Sequence, residues 1–175
     1  WPMVAGLSPL LGEGWRSFEL GADGDTTSAG YLSGGAAIAG EGEYEGQTIV
    51  QVDGWRSFPR LAQVPVAVLI DDAVGSSGEG VAVAFKGRAK TRFFGEKTYG
   101  AASSNEGFII GDRVNIVITT GMMADRHGRI YPDGVSPDTA VAMGPGSSAD
   151  PDDAVVEAAK AWLGRKGACR HKTSH

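Results

Sequence analysis

The sequence predicts a single domain of mixed α/β type, and the main observation is a strand, a helix and a second strand in succession. Residues 64–70 (VPVAVLI) form a continuous apolar run rich in β-branched residues, typical of a parallel strand buried on both faces. From Ser76 the apolar residues recur at helical spacing as far as Gly87, and residues 90–94 (KTRFF) indicate the next strand. This order predicts a βαβ unit.

A second observation is a pair of alternating segments, residues 106–110 and 113–123, separated by Gly111-Asp112. Two residues of this kind between strands predict an antiparallel hairpin.

Shorter signals place the remaining elements. Residues 1–14 predict a short helix that ends at glycine, and residues 47–53 predict a strand. Residues 21–47, rich in glycine, serine, threonine and acidic residues, predict a surface excursion with only short strand-like pieces. Asp150-Pro151 predicts the cap and first position of a final helix.

Composition limits the functional classes. The chain has 175 residues, 27 of them glycine, and a net charge of −5, which argues against nucleic acid as a partner. The single Cys169 excludes an internal disulfide framework and a cysteine metal site. No apolar stretch is long enough for a membrane span. Because the chain begins with Trp1 rather than Met, we expect it to be a processed or partial polypeptide.

Residues 75–80 (GSSGEG) follow the predicted buried strand and admit several interpretations. They can form a simple turn with Ser76 capping the helix. A nucleophile elbow would need Gly in place of Glu79, and a phosphate loop would need a Lys-Ser/Thr ending. A third interpretation makes Ser76 an acyl-transfer nucleophile, with the following amide of Ser77 at the helix N-terminus stabilising an oxyanion.

Residues 66–138 resemble the C-terminal half of the S41 peptidases, the tail-specific, C-terminal processing and tricorn-core proteases. The matching pieces are S-x-x-E after an apolar strand, Gly-Arg…Gly-Glu-x-Thr-x-Gly within residues 87–100, and Gly-Arg…Gly-Val-x-Pro-Asp within residues 128–138. The resemblance implies a ClpP/crotonase-like β-β-α fold, present in part. It assigns residues 1–163 to the C-terminal part of the peptidase domain and leaves residues 164–175 as a basic tail.

The resemblance also implies a serine-type peptidase that hydrolyses peptide bonds through an acyl-enzyme on Ser76, with Ser77 as a backbone oxyanion donor. Ala101 stands where the Ser–Lys branch carries its lysine, so the chain is similar to the tricorn-like branch, whose base is a histidine. The upstream motif that carries this histidine is absent. We therefore expect an incomplete catalytic domain, needing upstream polypeptide, with little or no activity alone.

Two acids are further candidates for the site. Asp125 could orient the base, or pair with Arg126 or Arg129 in a solvated turn. Glu79 could orient a catalytic group, or bond to the backbone or a neighbouring side chain. Candidates for the substrate groove are Thr98, Gly100, Ala101 and Asn105.

No metal or organic cofactor is implied, and the implied substrate is a polypeptide. The resemblance favours a location in the cell envelope (periplasm) or secretion. The sequence does not decide the oligomeric state, and a homo-oligomer is one of the possibilities. Two other functions are alternatives for a protein with this fold. One is a non-catalytic module that binds apolar ligands, as in retinoid-binding relatives, and the other is a crotonase-like acyl-CoA enzyme.

Overall fold

The computed structural model describes residues 1–111, 113–142, 144 and 153–166. Within these residues the chain forms two β-sheets, one of six antiparallel strands and one of three parallel strands, with a helix between them. A short 3-10 helix occupies Leu61–Gln63. The other elements are, in chain order, α1 (Pro2–Gly6), α2 (Ser8–Leu11), β1 (Arg16–Leu20), β2 (Thr26–Ser33), β3 (Ala36–Ala39), β4 (Thr48–Gln51), β5 (Val66–Ile70), α3 (Ser77–Phe85), β6 (Thr91–Gly95), β7 (Ser103–Ile110), β8 (Val114–Ala124), β9 (Thr139–Ala140) and α4 (Ala154–Arg165).

The larger sheet has the strand order β4-β3-β2-β1-β8-β7, so the β1–β4 meander is joined through β1 to the β7–β8 hairpin. The prediction for residues 21–47 was wrong, because β2 and β3 lie inside this sheet. Glycine accounts for the difference. A Cβ on Gly30 would lie 2.2 Å from the ring of Trp1, and one on Gly35 would lie 2.2 Å from the ring of Trp55. These glycines let indole rings lie directly on the backbone. Because glycine has no side chain, strands that contain it lack the alternation of apolar residues by which a strand is predicted.

The smaller sheet confirms the predicted βαβ unit. Strand β5 pairs in parallel with β6, Val68 opposite Phe93, and α3 connects them. The predicted burial of both faces of β5 was wrong. In the described part of the chain β5 is an edge strand of its sheet, and Leu69 is 44% exposed.

Helix α3 packs between the two sheets, where Ala82, Val83 and Phe85 join the main core. Helix α4 covers the other face of the parallel sheet, with Trp162 packed against Phe94 at a ring separation of 5.9 Å. The core thus fixes α3, and with it the turn that precedes it, from both sides.

Buried Arg88 ties the start of the chain to the parallel sheet. Its guanidinium donates to the backbone carbonyls of Leu10 (2.7 Å), Leu61 (3.3 Å), Ala62 (3.0 Å) and Val64 (3.0 Å). This is the Arg of the Gly-Arg motif, and its planar fork of donors suits it to gather several carbonyls at once.

Two predicted elements border residues that the structure does not describe. The predicted hairpin strands are confirmed as β7 and β8, although Asp112 of the turn lies outside the described residues. Helix α4 has Asp153 as its cap, whose carboxylate accepts the Val156 N–H at 2.9 Å. Asp150 and Pro151, the predicted helix start, lie outside the described residues, and α4 continues to Arg165, into the predicted tail. No helix in the described ranges is both long enough and apolar enough to cross a membrane.

The end of β6 supplies a test of the packing. Gly95 has φ +113, and a Cβ there would lie 2.1 Å from the carbonyl oxygen of Ile70. Gly95→Ala should therefore destabilise the protein by about 1–3 kcal/mol, because neither the backbone conformation nor the neighbouring strand can accommodate the methyl group.

Gly164→Ala is the matched control, since Gly164 lies in α4 with nothing within 4 Å of an added Cβ. It should stabilise the protein by about 0.5–1 kcal/mol. Urea unfolding of the two variants measures both effects, and equal stability of Gly95→Ala and the parent would contradict the packing at β6.

Candidate active site

Ser76 lies in the turn between β5 and α3 and caps the helix. Its backbone has φ 50 and ψ −120, a conformation that costs a non-glycine residue about 1–3 kcal/mol. Its side chain is exposed. Asp71 builds the approach to the turn, its carboxylate accepting the N–H groups of Ala73 (3.0 Å) and Val74 (3.2 Å). A strained, exposed serine between a strand and a helix is the backbone setting of a nucleophile.

The carboxylate of Glu79 is fully buried and accepts four hydrogen bonds. The Ser76 N–H (3.2 Å) and the Ala101 N–H (2.6 Å) donate to Oε2. The Thr98 hydroxyl (2.5 Å) and the Gly100 N–H (2.8 Å) donate to Oε1. The group therefore connects the serine turn to the loop after β6, and hydrogen bonds to a charged acceptor are the stronger kind.

Thr98 extends this network to a third segment. Its Oγ1 accepts the Val135 N–H at 2.7 Å, and its own N–H donates to the Val135 carbonyl at 3.1 Å. Gly134 permits the approach, since a Cβ there would lie 2.6 Å from the Thr98 carbonyl oxygen. The S-x-x-E and Gly-Glu-x-Thr-x-Gly segments thus meet at one buried carboxylate, and Thr98 joins the Gly-Val-x-Pro-Asp segment to them.

The Ser77 amide is available beside Ser76. Neighbouring N–H groups have acceptors: the Gly78 N–H donates to the Gly75 carbonyl and the Gly80 N–H donates to the Ser76 carbonyl, both at 3.0 Å. Within the described ranges the Ser77 N–H has no such acceptor, and Ser77 is the exposed first residue of α3. An unpaired amide at a helix N-terminus can bind an anion or a developing oxyanion.

Asp125 lies in a turn beside the C-terminal end of α3, the end away from Ser76. Its carboxylate accepts the His127 N–H (2.8 Å), the Arg129 N–H (3.2 Å) and the Tyr131 hydroxyl (2.6 Å). Burial raises the pKa of Asp125, but the hydrogen bonds from Tyr131, His127 and Arg129 outweigh it, so the pKa lies below its ordinary value. Asp125 is buried and stabilises a turn through two backbone donors and the Tyr131 hydroxyl, and among the described residues it forms no ion pair with a guanidinium group.

The turn that contains Asp125 contacts the C-terminal part of α3. The Arg126 guanidinium donates to the Ala84 carbonyl at 3.4 Å, and the His127 ring lies against Gly87. Ala84 is seven residues after Ser77, about 10 Å along a helix axis. The structure therefore does not bring Asp125 or His127 to Ser76. The other two histidines of the chain, His171 and His175, lie outside the described residues.

The groove candidates occupy two different places. Thr98, Gly100 and Ala101 lie around the Glu79 carboxylate, with the Thr98 side chain buried. Asn105 is exposed on β7, where its Oδ1 accepts the Thr119 hydroxyl at 2.8 Å across the hairpin. Only the first group is joined to the serine turn.

Sequence patterns gave no signal for a cleft of about 170 Å³ beside the serine turn. It lies between α3 and the β1–β8 part of the larger sheet, and its formation depends on the long-range pairing of these strands. Its walls are formed by Trp1, Met3, Val4, Trp15, Ser17, Glu19, Ser77, Gly80, Val83, Ala84, Met123 and Ala124. Among the described residues no group of three or more His, Cys, Asp or Glu side chains could hold a metal ion.

Comparison with known proteins assigns this domain to the peptidases. The profile of Peptidase family S41 matches residues 12–141, and the chain therefore belongs to that family. The Nisin-resistance protein of Lactococcus lactis subsp. lactis is 33% identical over 138 residues, which cover 78% of this chain and 40% of that protein.

Two solved structures share the fold. A lipoprotein from Streptococcus agalactiae has a TM-score of 0.59 and 22% identity, covering 94% of this chain and 50% of that one. The photosystem II D1 C-terminal processing protease has a TM-score of 0.53 and 19% identity, covering 81% and 31%. The predicted ClpP/crotonase-like β-β-α fold, present in part, is confirmed, and the chain spans half or less of these relatives' lengths.

Glu79→Gln tests the role of the buried carboxylate. An amide keeps the size but replaces one acceptor oxygen with a donor, so N–H groups of Ser76, Gly100 or Ala101 lose their acceptor. The variant should lose about 2–4 kcal/mol of unfolding free energy.

Glu106→Gln, on the exposed part of β7, makes the same chemical change and should alter stability by less than about 0.5 kcal/mol. Guanidinium unfolding measures the free energy of unfolding of both variants. Equal losses of this free energy would contradict a stabilising role for the hydrogen bonds of Glu79.

Proposed function

We propose that this chain forms part of a serine-type peptidase that cleaves polypeptides through an acyl-enzyme on Ser76. The supporting observation is the combination at one turn of an exposed serine in a strained backbone conformation with the unpaired amide of Ser77 beside it. Membership of a peptidase family agrees with this chemistry.

In the proposed reaction the Ser76 Oγ attacks the carbonyl carbon of the scissile peptide bond while a base removes the hydroxyl proton. The carbonyl oxygen becomes an oxyanion and accepts a hydrogen bond from the Ser77 N–H. The base returns the proton to the leaving nitrogen, the C–N bond breaks, and an ester remains on Ser76. Water, deprotonated by the same base, then attacks the ester carbonyl carbon. The base returns that proton to the Ser76 Oγ as the ester C–O bond breaks, which releases the new carboxyl end and restores the serine.

We take the base to be a histidine from outside this chain, as the similarity to the tricorn-like branch implies. Two observations support the assignment. Ala101 offers only its backbone at the position of the branch lysine, and that N–H is bound to Glu79. In the described residues neither a histidine nor a lysine side chain hydrogen-bonds to Ser76. A second oxyanion donor is assigned to the same outside region.

The proposal also places the protein in the cell envelope or outside the cell, acting on unfolded or C-terminal polypeptide segments. A curated relative named for resistance to nisin and a structural relative described as a lipoprotein support this placement.

Acylation of Ser76 is the direct test. The polypeptide encoded by the complete gene is treated with a fluorophosphonate, digested and analysed by mass spectrometry, alongside peptide hydrolysis assays. We expect an adduct on Ser76 and at least a 1000-fold loss of hydrolysis in Ser76→Ala, consistent with removal of a nucleophile.

Ser77→Ala is the control, since it keeps the backbone N–H, and it should retain most of the activity. Hydrolysis that survives Ser76→Ala, or an adduct on Ser77, would overturn the assignment. Complete absence of an adduct would favour the non-catalytic ligand-binding function.

A further inference from the structure

We propose that the cleft beside Ser77 binds the side chain of a lysine or arginine next to the scissile bond, with the Glu19 carboxylate receiving the cation. This inference rests on the proposed function and specifies its substrate class. It assigns Glu19 as a residue that determines specificity.

The two walls of the cleft follow from strand and helix geometry. Ser17 and Glu19 are two residues apart on β1 and therefore share one face of the sheet, and Met123 is the residue paired with Glu19 on β8. The opposite wall is the face of α3 that carries Gly80 and Val83. Because Ser77 belongs to this wall as well, a side chain in the cleft belongs to a residue bound near Ser76.

Most of the lining is apolar and suits the stem of a long side chain. Trp15 and Val83 are buried, and Met123 packs against the core that contains them. The volume of about 170 Å³ is several times the roughly 30 Å³ of one water molecule, which is room for a single long side chain. Lysine and arginine place such stems on apolar surface and keep the charged end on a polar partner.

Gly80 keeps this space open. A Cβ at that position would lie 3.1 Å from the sulfur of Met123, so a side chain on α3 there would press on Met123 and narrow the cleft that both residues line.

Glu19 supplies the charge that distinguishes a cationic side chain from an apolar one. It is half-buried, and its carboxylate makes no hydrogen bond or ion pair within the described parts of the chain. Its neighbour Arg16 alternates to the opposite face of β1. A lysine or arginine end that enters between the apolar walls would therefore meet a carboxylate acceptor that has no competing partner in the described residues.

Binding and turnover together test the inference. Full-length protein carrying Ser76→Ala is titrated with peptides that differ at one position, lysine or norleucine, and tryptophan fluorescence reports binding without requiring turnover. We expect the lysine peptide to bind at least 10-fold more tightly than the norleucine peptide. Glu19→Gln should reduce this ratio to about 2 or less, whereas the surface variant Glu45→Gln should leave it unchanged.

In active protein the ratio of kcat/KM for the same two peptides should follow the same pattern, and Glu19→Lys should shift preference toward a glutamate peptide. A lysine-to-norleucine ratio that Glu19→Gln does not change would overturn the inference and leave the proposed function intact. Tighter binding of norleucine would overturn it in favour of an apolar occupant. Selective binding of lysine without any hydrolysis would support the cleft assignment and overturn the proposed peptidase function.

Discussion

The buried carboxylate of Glu79 is the constraint on which the candidate site depends. It lies one helical turn after Ser76 and accepts donors from the serine turn and from the loop that contains Thr98, Gly100 and Ala101. A charge with no exposed surface is tolerated only when hydrogen bonds replace the lost water, and four donors do so here. The protein therefore cannot move either segment without leaving a buried charge or buried amides unsatisfied.

This constraint accounts for the unusual backbone at Ser76. A conformation with φ 50 persists only if the surroundings hold it, and the Ser76 N–H is held by Glu79 while α3 is packed between the two sheets. The same arrangement turns the Ser77 N–H away from internal acceptors and places the first turn of α3 along the cleft that contains Glu19. The proposed nucleophile, the proposed oxyanion donor and the proposed specificity residue thus all depend on the position of one helix.

The sequence was sufficient for features encoded in a short stretch, and insufficient for those that depend on distant contacts. The buried-strand pattern of residues 64–70 and the change of period after Ser76 predicted the βαβ unit correctly. Strands β2 and β3 were missed because Gly30 in β2 and Gly35 just before β3 are positions where a distant indole ring contacts the backbone. The exposure of Leu69 depends on which strands flank β5. Glu79 was placed on the helix, but its donors come from residues 98–101, and Glu19 acquires a role only through the pairing of β1 with β8.

Hydrogen–deuterium exchange at single amides tests most directly whether one carboxylate holds the site together. In the parent protein the Ser76, Gly100 and Ala101 amides should be protected, because all three donate to Glu79. In Glu79→Gln we expect faster exchange at all three, by a larger factor than the increase that the lower global stability causes at the amides in the centre of β6. Faster exchange at Ser76 alone, with Gly100 and Ala101 still protected, would contradict the claim that Glu79 couples the serine turn to the loop.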